Sequence, residues 1–171
     1  METVIPAAII IGLLLLAVLT VTEQALSAQE AAAESWREMQ ERMGERARTA
    51  LSFISAETES DLVGSTVTIT FSNDGDTKLA DFEQWDVIVQ YDSTGNGDYD
   101  VVEWLPYAEA GPVDDEWGVS EILPDAFDPD ILNPEEEMVI ELRVSPAITI
   151  TGRAIIATPN GITVYALDLN P

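Results

Sequence analysis

The sequence has no cysteine, no histidine and a single lysine, Lys78. Without cysteine there are no disulfides and no thiolate metal sites, so any folded domain must rest on its apolar core. Without histidine the usual zinc ligand and the commonest general base are both missing. Basic residues number 7 against 32 acids, a formal net charge of −25. Residues 1–50 hold seven acids against four arginines, a net −3, whereas residues 51–171 hold twenty-five acids against Lys78, Arg143 and Arg153, a net −22. Nucleic acid and anionic lipid headgroups are poor partners for that second part, because binding them takes cationic side chains that displace counterions. Divalent cations and basic surfaces suit it better, as does high ionic strength, where screening relieves self-repulsion. Glycine-rich phosphate loops, Ser/His arrangements and metal-hydrolase spacings do not occur, so no enzymatic activity and no small-molecule substrate are expected. Adjacent acids such as Asp114-Asp115 and Glu135-Glu136-Glu137 have nothing apolar around them to raise a pKa and read as solvated charge.

What the sequence has in quantity is one apolar run. Thr3 to Thr22, TVIPAAIIIGLLLLAVLTVT, is twenty uncharged residues, about what an α-helix needs to cross a ~30 Å hydrocarbon layer with its backbone polar groups paired. The helical spacing continues through Ala25, Ala28, Ala32, Trp36, Met39, Met43, Ala47, Leu51 and Ile54, which recur every three or four residues. This predicts one helix from about Thr3 to Ser55, roughly 80 Å long at 1.5 Å per residue. Pro6 falls where a missing N–H is tolerated, and Ala7, Ala8 and Gly12 let neighbouring helices approach closely. Beyond Glu23 the helix becomes amphipathic, with Glu38 and Arg42 spaced to pair along its outer face.

Glu57 to Gly64 reads as the boundary, after which the hydrophobic period changes to two. Strands are predicted at Thr66 to Phe71, Trp85 to Tyr91, Tyr99 to Leu105, Met138 to Val144, Ala147 to Ala157 and Ile162 to Leu169, with a short one near Trp117. The first is closed by the turn Asn73-Asp74-Gly75-Asp76. The expected fold is therefore α+β: a hydrophobic and amphipathic helix over residues 1–56, then an acidic antiparallel β-sandwich of immunoglobulin-like type over residues 57–171. Trp36, Trp85, Trp104 and Trp117 are expected as core or interface anchors.

One loop has ligand-like spacing. Asp92 to Glu103 places Asp92, Thr94, Asn96, Asp98, Asp100 and Glu103 at positions 1, 3, 5, 7, 9 and 12, with Gly97 at 6, the pattern of a twelve-residue calcium loop of the EF-hand type. Calcium is accordingly a candidate ligand, although the flanking VIVQY and VVEWL read as strands rather than helices. The other reading is a plain acidic hairpin loop whose glycines serve the turn.

An apolar then amphipathic N-terminal helix feeding a small β-sandwich resembles the type IV pilin superfamily, and the chain is most similar to the archaellins, the filament subunits of the archaeal motility organelle. The likeness extends to SNDGDTKLADFEQWDVIVQY (Ser72 to Tyr91), ILNPEEEMVIELRVSP (Ile131 to Pro146) and TPNG (Thr158 to Gly161). It implies a helical homopolymer at the cell surface, with the subunit held in the cytoplasmic membrane before assembly. The polymerisation core would comprise Val4, Ile5, Ile9, Ile10, Ile11, Leu13, Leu14, Leu15, Leu16, Val18 and Leu19, with Val21 to Ile54 as an outer shell. Ile5 stands where bacterial pilins carry a glutamate, and Pro134-Glu135-Glu136 where the group commonly has proline-glycine-glutamate. The alternatives are an adhesive type IV pilin, or a minor or stator-like component of the same machinery, anchored in the membrane with an extracellular β-domain.

Overall fold

The computed structural model describes residues 4–125 and 127–171, with the backbone alone at residues 4–8 and 11. One helix, α1 (Val4–Arg48), precedes eight strands: β1 (Leu51–Ser60), β2 (Ser65–Asn73), β3 (Asp86–Tyr91), β4 (Val101–Leu105), β5 (Glu116–Leu123), β6 (Glu137–Val144), β7 (Gly152–Ala157) and β8 (Thr163–Ala166). The chain divides into two compact units, Met1–Met43 and Gly44–Pro171. The first is helix throughout its described length; its 45-residue parent helix is about 68 Å long at 1.5 Å per residue.

The second unit is the expected β-sandwich. Its two four-stranded antiparallel sheets run in the orders β1-β2-β6-β5 and β4-β3-β7-β8. Alternation places Val67, Ile69 and Phe71 of β2, and Val87, Val89 and Tyr91 of β3, on the inner faces, all fully buried. Met138, Ile140 and Leu142 of β6 and Ala154 and Ile156 of β7 fill the same layer. Trp85 closes one part of the core, stacked 6.2 Å from Phe71 and edge-on at 5.3 Å to Phe82. Trp117, fully buried, meets Tyr107 edge-on at 5.0 Å. Burying each such side chain contributes roughly 1.5–3 kcal/mol, which is how a cysteine-free domain holds together.

The helix stops earlier than its spacing predicts. Leu51 and Ile54 keep the helical period, yet the chain leaves the helix at Thr49 and both residues belong to β1, which pairs with β2 from Leu51 opposite Asn73 to Ser60 opposite Ser65. The cause is tertiary. Asp76 N–H donates to the Arg48 carbonyl at 2.7 Å and Asp74 N–H to that of Ala50 at 2.9 Å, so the turn after β2 accepts the helix end. Gly75 is required there, since a Cβ would lie 2.4 Å from the Arg48 oxygen. Thr49 Oγ1 donates to the Glu45 carbonyl and receives Asn160 Nδ2 at 2.7 Å. Glu57 to Ser60, expected between helix and head, are thus part of the first strand. The predicted strand from Ala147 forms only from Gly152, and the one near Trp117 is eight residues long.

Candidate functional site

Two features are the candidates for a functional site: the bare apolar helix and the acidic loops of the sandwich. Along α1, Ile9, Ile10, Leu13, Leu14, Leu15, Leu16, Val18 and Leu19 are each 57–63% exposed, so among the described residues no side of this run is covered. The side chains of Val4, Ile5 and Ile11 lie outside the described residues. The helix is long and apolar enough to cross a membrane from Gly12 onward, and none of that span is buried. Thr20 and Thr22 hydroxyls donate back to the carbonyls of Ala17 and Val18, which hides polar groups at the end of the run. Further along, Leu26, Trp36, Met39 and Met43 are also exposed, while Arg37 pairs weakly with Glu34 at 4.0 Å. Such a surface demands a non-aqueous environment or other apolar helices.

The six loop residues with calcium-like spacing are placed as follows. Asp92, at the end of β3, is buried, and its carboxylate accepts the N–H groups of Thr94, Gly95 and Gly97 at 2.9, 2.8 and 2.6 Å. Burial pushes its pKa up, but the three backbone donors outweigh burial and hold it below the ordinary range. Asp100 accepts from Ser93 N–H at 2.7 Å and Ser93 Oγ at 2.8 Å, which likewise lowers it. Asn96 accepts from Asp98 N–H at 2.8 Å. Glu103 is apart from these: it lies in β4 opposite Val89, with a buried Oε2 that has no hydrogen-bond partner among the described residues. Burial, reinforced by Asp115, raises its pKa. Among the described residues no three Asp, Glu, His or Cys side chains converge to hold a metal ion. The loop's first and ninth carboxylates are engaged by its own donors, a role that ligand spacing alone does not distinguish from metal binding.

Sequence reasoning passes over a cleft of about 680 Å³ lined by Phe82, Tyr107, Glu109, Glu121, Asp125 and Asp130. Burial and then Glu109, Asp130 and Glu83 raise the Tyr107 pKa, so the cleft carries a negative field. The Pro134-Glu135-Glu136 stretch is structural. Glu135 has φ +67°, where glycine is at ease, and the buried Glu136 carboxylate accepts Asn133 N–H at 2.9 Å.

Fold and helix together define a class: a single apolar helix, long enough to span a membrane, carrying an acidic two-sheet sandwich. Neither a protein-family model nor a curated protein matches the sequence. Among solved structures, the chain is similar to the archaellum periplasmic stator protein FlaG from Sulfolobus acidocaldarius, at 21% identity and a TM-score of 0.49, over 70% of this chain and 98% of that one. It is also similar to the archaellum periplasmic stator protein complex FlaF and FlaG from the same organism, at 19% identity and a TM-score of 0.45, over 68% and 86%.

Proposed function

We propose that the chain is a membrane-anchored structural component of archaellum-type surface machinery, stator-like in kind, with the sandwich on the outer side of the membrane. The observation that carries the reading is the first half of α1. Its uncharged stretch matches one bilayer, its described apolar side chains are all exposed, and the next acid after Glu2 is Glu23. Lipid alone satisfies every one of those side chains, with no second copy needed. A head of net −22 carries no basic surface for anionic lipid and stands off the membrane into a saline exterior. The filament subunit is the second reading, favoured by the exposed Leu26, Trp36, Met39 and Met43, which extend the apolar stripe beyond the length a bilayer covers.

Fractionation of cells making the full chain separates the two. The anchor reading expects the protein in membranes, resistant to alkaline carbonate, with the head freed by protease acting between Glu23 and Met43. Leu14→Asp, which costs about 2.5–3.5 kcal/mol at a helix centre in a membrane, should shift it to the soluble fraction. Recovery of the chain as the main constituent of filaments sheared from the surface overturns the anchor reading in favour of the filament.

A further inference from the structure

The sheet β4-β3-β7-β8 turns an apolar face outward. Ile88 is directly opposite Trp104 on one side and Ile155 on the other, and Ile155 is opposite Tyr165, so these four side chains form one row across all four strands. They alternate with Val87, Val89, Ala154 and Ile156 of the core and therefore point away from it. Trp104 is 57% and Tyr165 55% exposed, at opposite ends of the row. The two charges on this face sit on either side of the row. Asp86, one step before Ile88 on the same face, accepts the Trp104 indole N–H at 2.9 Å. Arg153, one step before Ile155, donates Nε to Gln90 at 2.7 Å and lies 4.9 Å from the Tyr99 ring centre. Both are thus fixed in position, while Arg153 makes no ion pair among the described residues.

We infer that this face binds a second copy of the chain, outer face to outer face, about a two-fold axis running along the row from Trp104 to Tyr165. Rotation about that axis stacks each residue of the row on its own counterpart and reverses the strand direction. The end of the sheet that carries Asp86 then lies over the end that carries the other copy's Arg153. Symmetry makes this pair twice, each Arg153 exchanging Gln90 for the facing Asp86 and extending across a sheet spacing of ~10 Å. Charge decides for a second copy over a basic partner. The face is balanced, one acid and one base, on a domain of net −22, so it is where two such domains can meet without bringing acids together, whereas a basic partner is drawn to the acidic surfaces elsewhere. Long-range repulsion between the two heads is screened as the Debye length shortens from ~30 Å at 10 mM salt to ~8 Å at 0.15 M, so association strengthens with salt.

The test uses the full chain in detergent micelles, with mass measured by sedimentation. Asp86→Arg and Arg153→Asp each set like charges against each other twice and should weaken association at least tenfold. An equal mixture of the two variants regains two opposite-charge pairs per dimer and should associate as the wild type does, which also shows that both variants fold. Trp104→Thr, at an exposed position, should abolish the dimer while leaving the melting temperature of the head unchanged at dilutions where the wild type is monomeric. Because α1 can associate independently, a spin label on Ile155→Cys, in a chain with no other cysteine, reports the heads themselves; a short distance, set by the sheet spacing plus the label arms, is expected. A monomeric wild type, association indifferent to both charge reversals, failure of the mixture to recover, or absence of the short distance overturns the inference.

Discussion

The two sheets of the head share one core and differ on their outer faces. On β2, Thr66, Thr68, Thr70 and Ser72 alternate with the buried Val67, Ile69 and Phe71, and stand opposite Arg143, Glu141, Val139 and Glu137 of β6. The row that crosses this sheet through Thr70 is Ser55, Thr70, Val139 and Glu121, whereas the row that crosses the other sheet is Trp104, Ile88, Ile155 and Tyr165. Threonine and isoleucine fit a pleated sheet equally well, being β-branched, so strand formation does not explain the choice between them. The inner faces are constrained by packing and the outer ones are free to differ. Their difference is therefore informative about what each face meets, water in the first case and an apolar surface in the second.

The largest effect expected is one that the two sheets share. Ile140 in β6 and Ile156 in β7 are both fully buried, one from each sheet, and truncating either to alanine should cost about 2–5 kcal/mol, seen as similar shifts in the urea midpoint. A sheet that tolerated its truncation would show that the core is not common to both. A smaller effect sharpens the contrast on the inner side. Glu103 is the acid of β4 that faces inward, and its raised pKa means that the protonated form suits the fold. The stability it contributes is fully present below the ordinary value of 4.5 and is lost as pH rises through the higher folded value. Glu103→Gln should therefore melt above the wild type at pH 7, and the two melting curves should converge below about pH 4.5. The smallest effects belong to the outer faces. Thr70→Ile and Tyr165→Thr should each change thermal stability of the dispersed protein by no more than about 0.5 kcal/mol, but they should move association in opposite directions, the first promoting it and the second reducing it.

Most of the sandwich was legible because alternation is local: Thr66 to Phe71, Trp85 to Tyr91 and Met138 to Val144 each show period two without help from the rest of the chain. The end of α1 was not, because Leu51 and Ile54 keep helical spacing and the groups that end the helix come from elsewhere. Gly75 lies in the turn after β2, and Asn160 reaches Thr49 across 111 residues. The spacing of Asp92 and its neighbours was legible as a loop of oxygen-bearing side chains. Whether those oxygens face an ion or the loop's own N–H groups depends on backbone geometry that spacing does not encode. The left-handed Glu135 shows the same limit, since a glycine there would have announced the turn. The row of four on the outer sheet was hidden for a further reason: Ile88 and Ile155 are neighbours only through the pairing of β3 with β7.

The way α1 ends has a mechanical side. The Arg48 carbonyl is held by the turn that follows β2, and Thr49 by Asn160 in the turn between β7 and β8, so the last turn of the helix is fastened to both sheets rather than to β1 alone. Tension arriving along the helix is divided between the two layers at its point of entry. The nine pairs of β1 with β2, interrupted by the bulge at Ile54, thus begin at an end that is already clamped, so the ladder does not fray from its first rung.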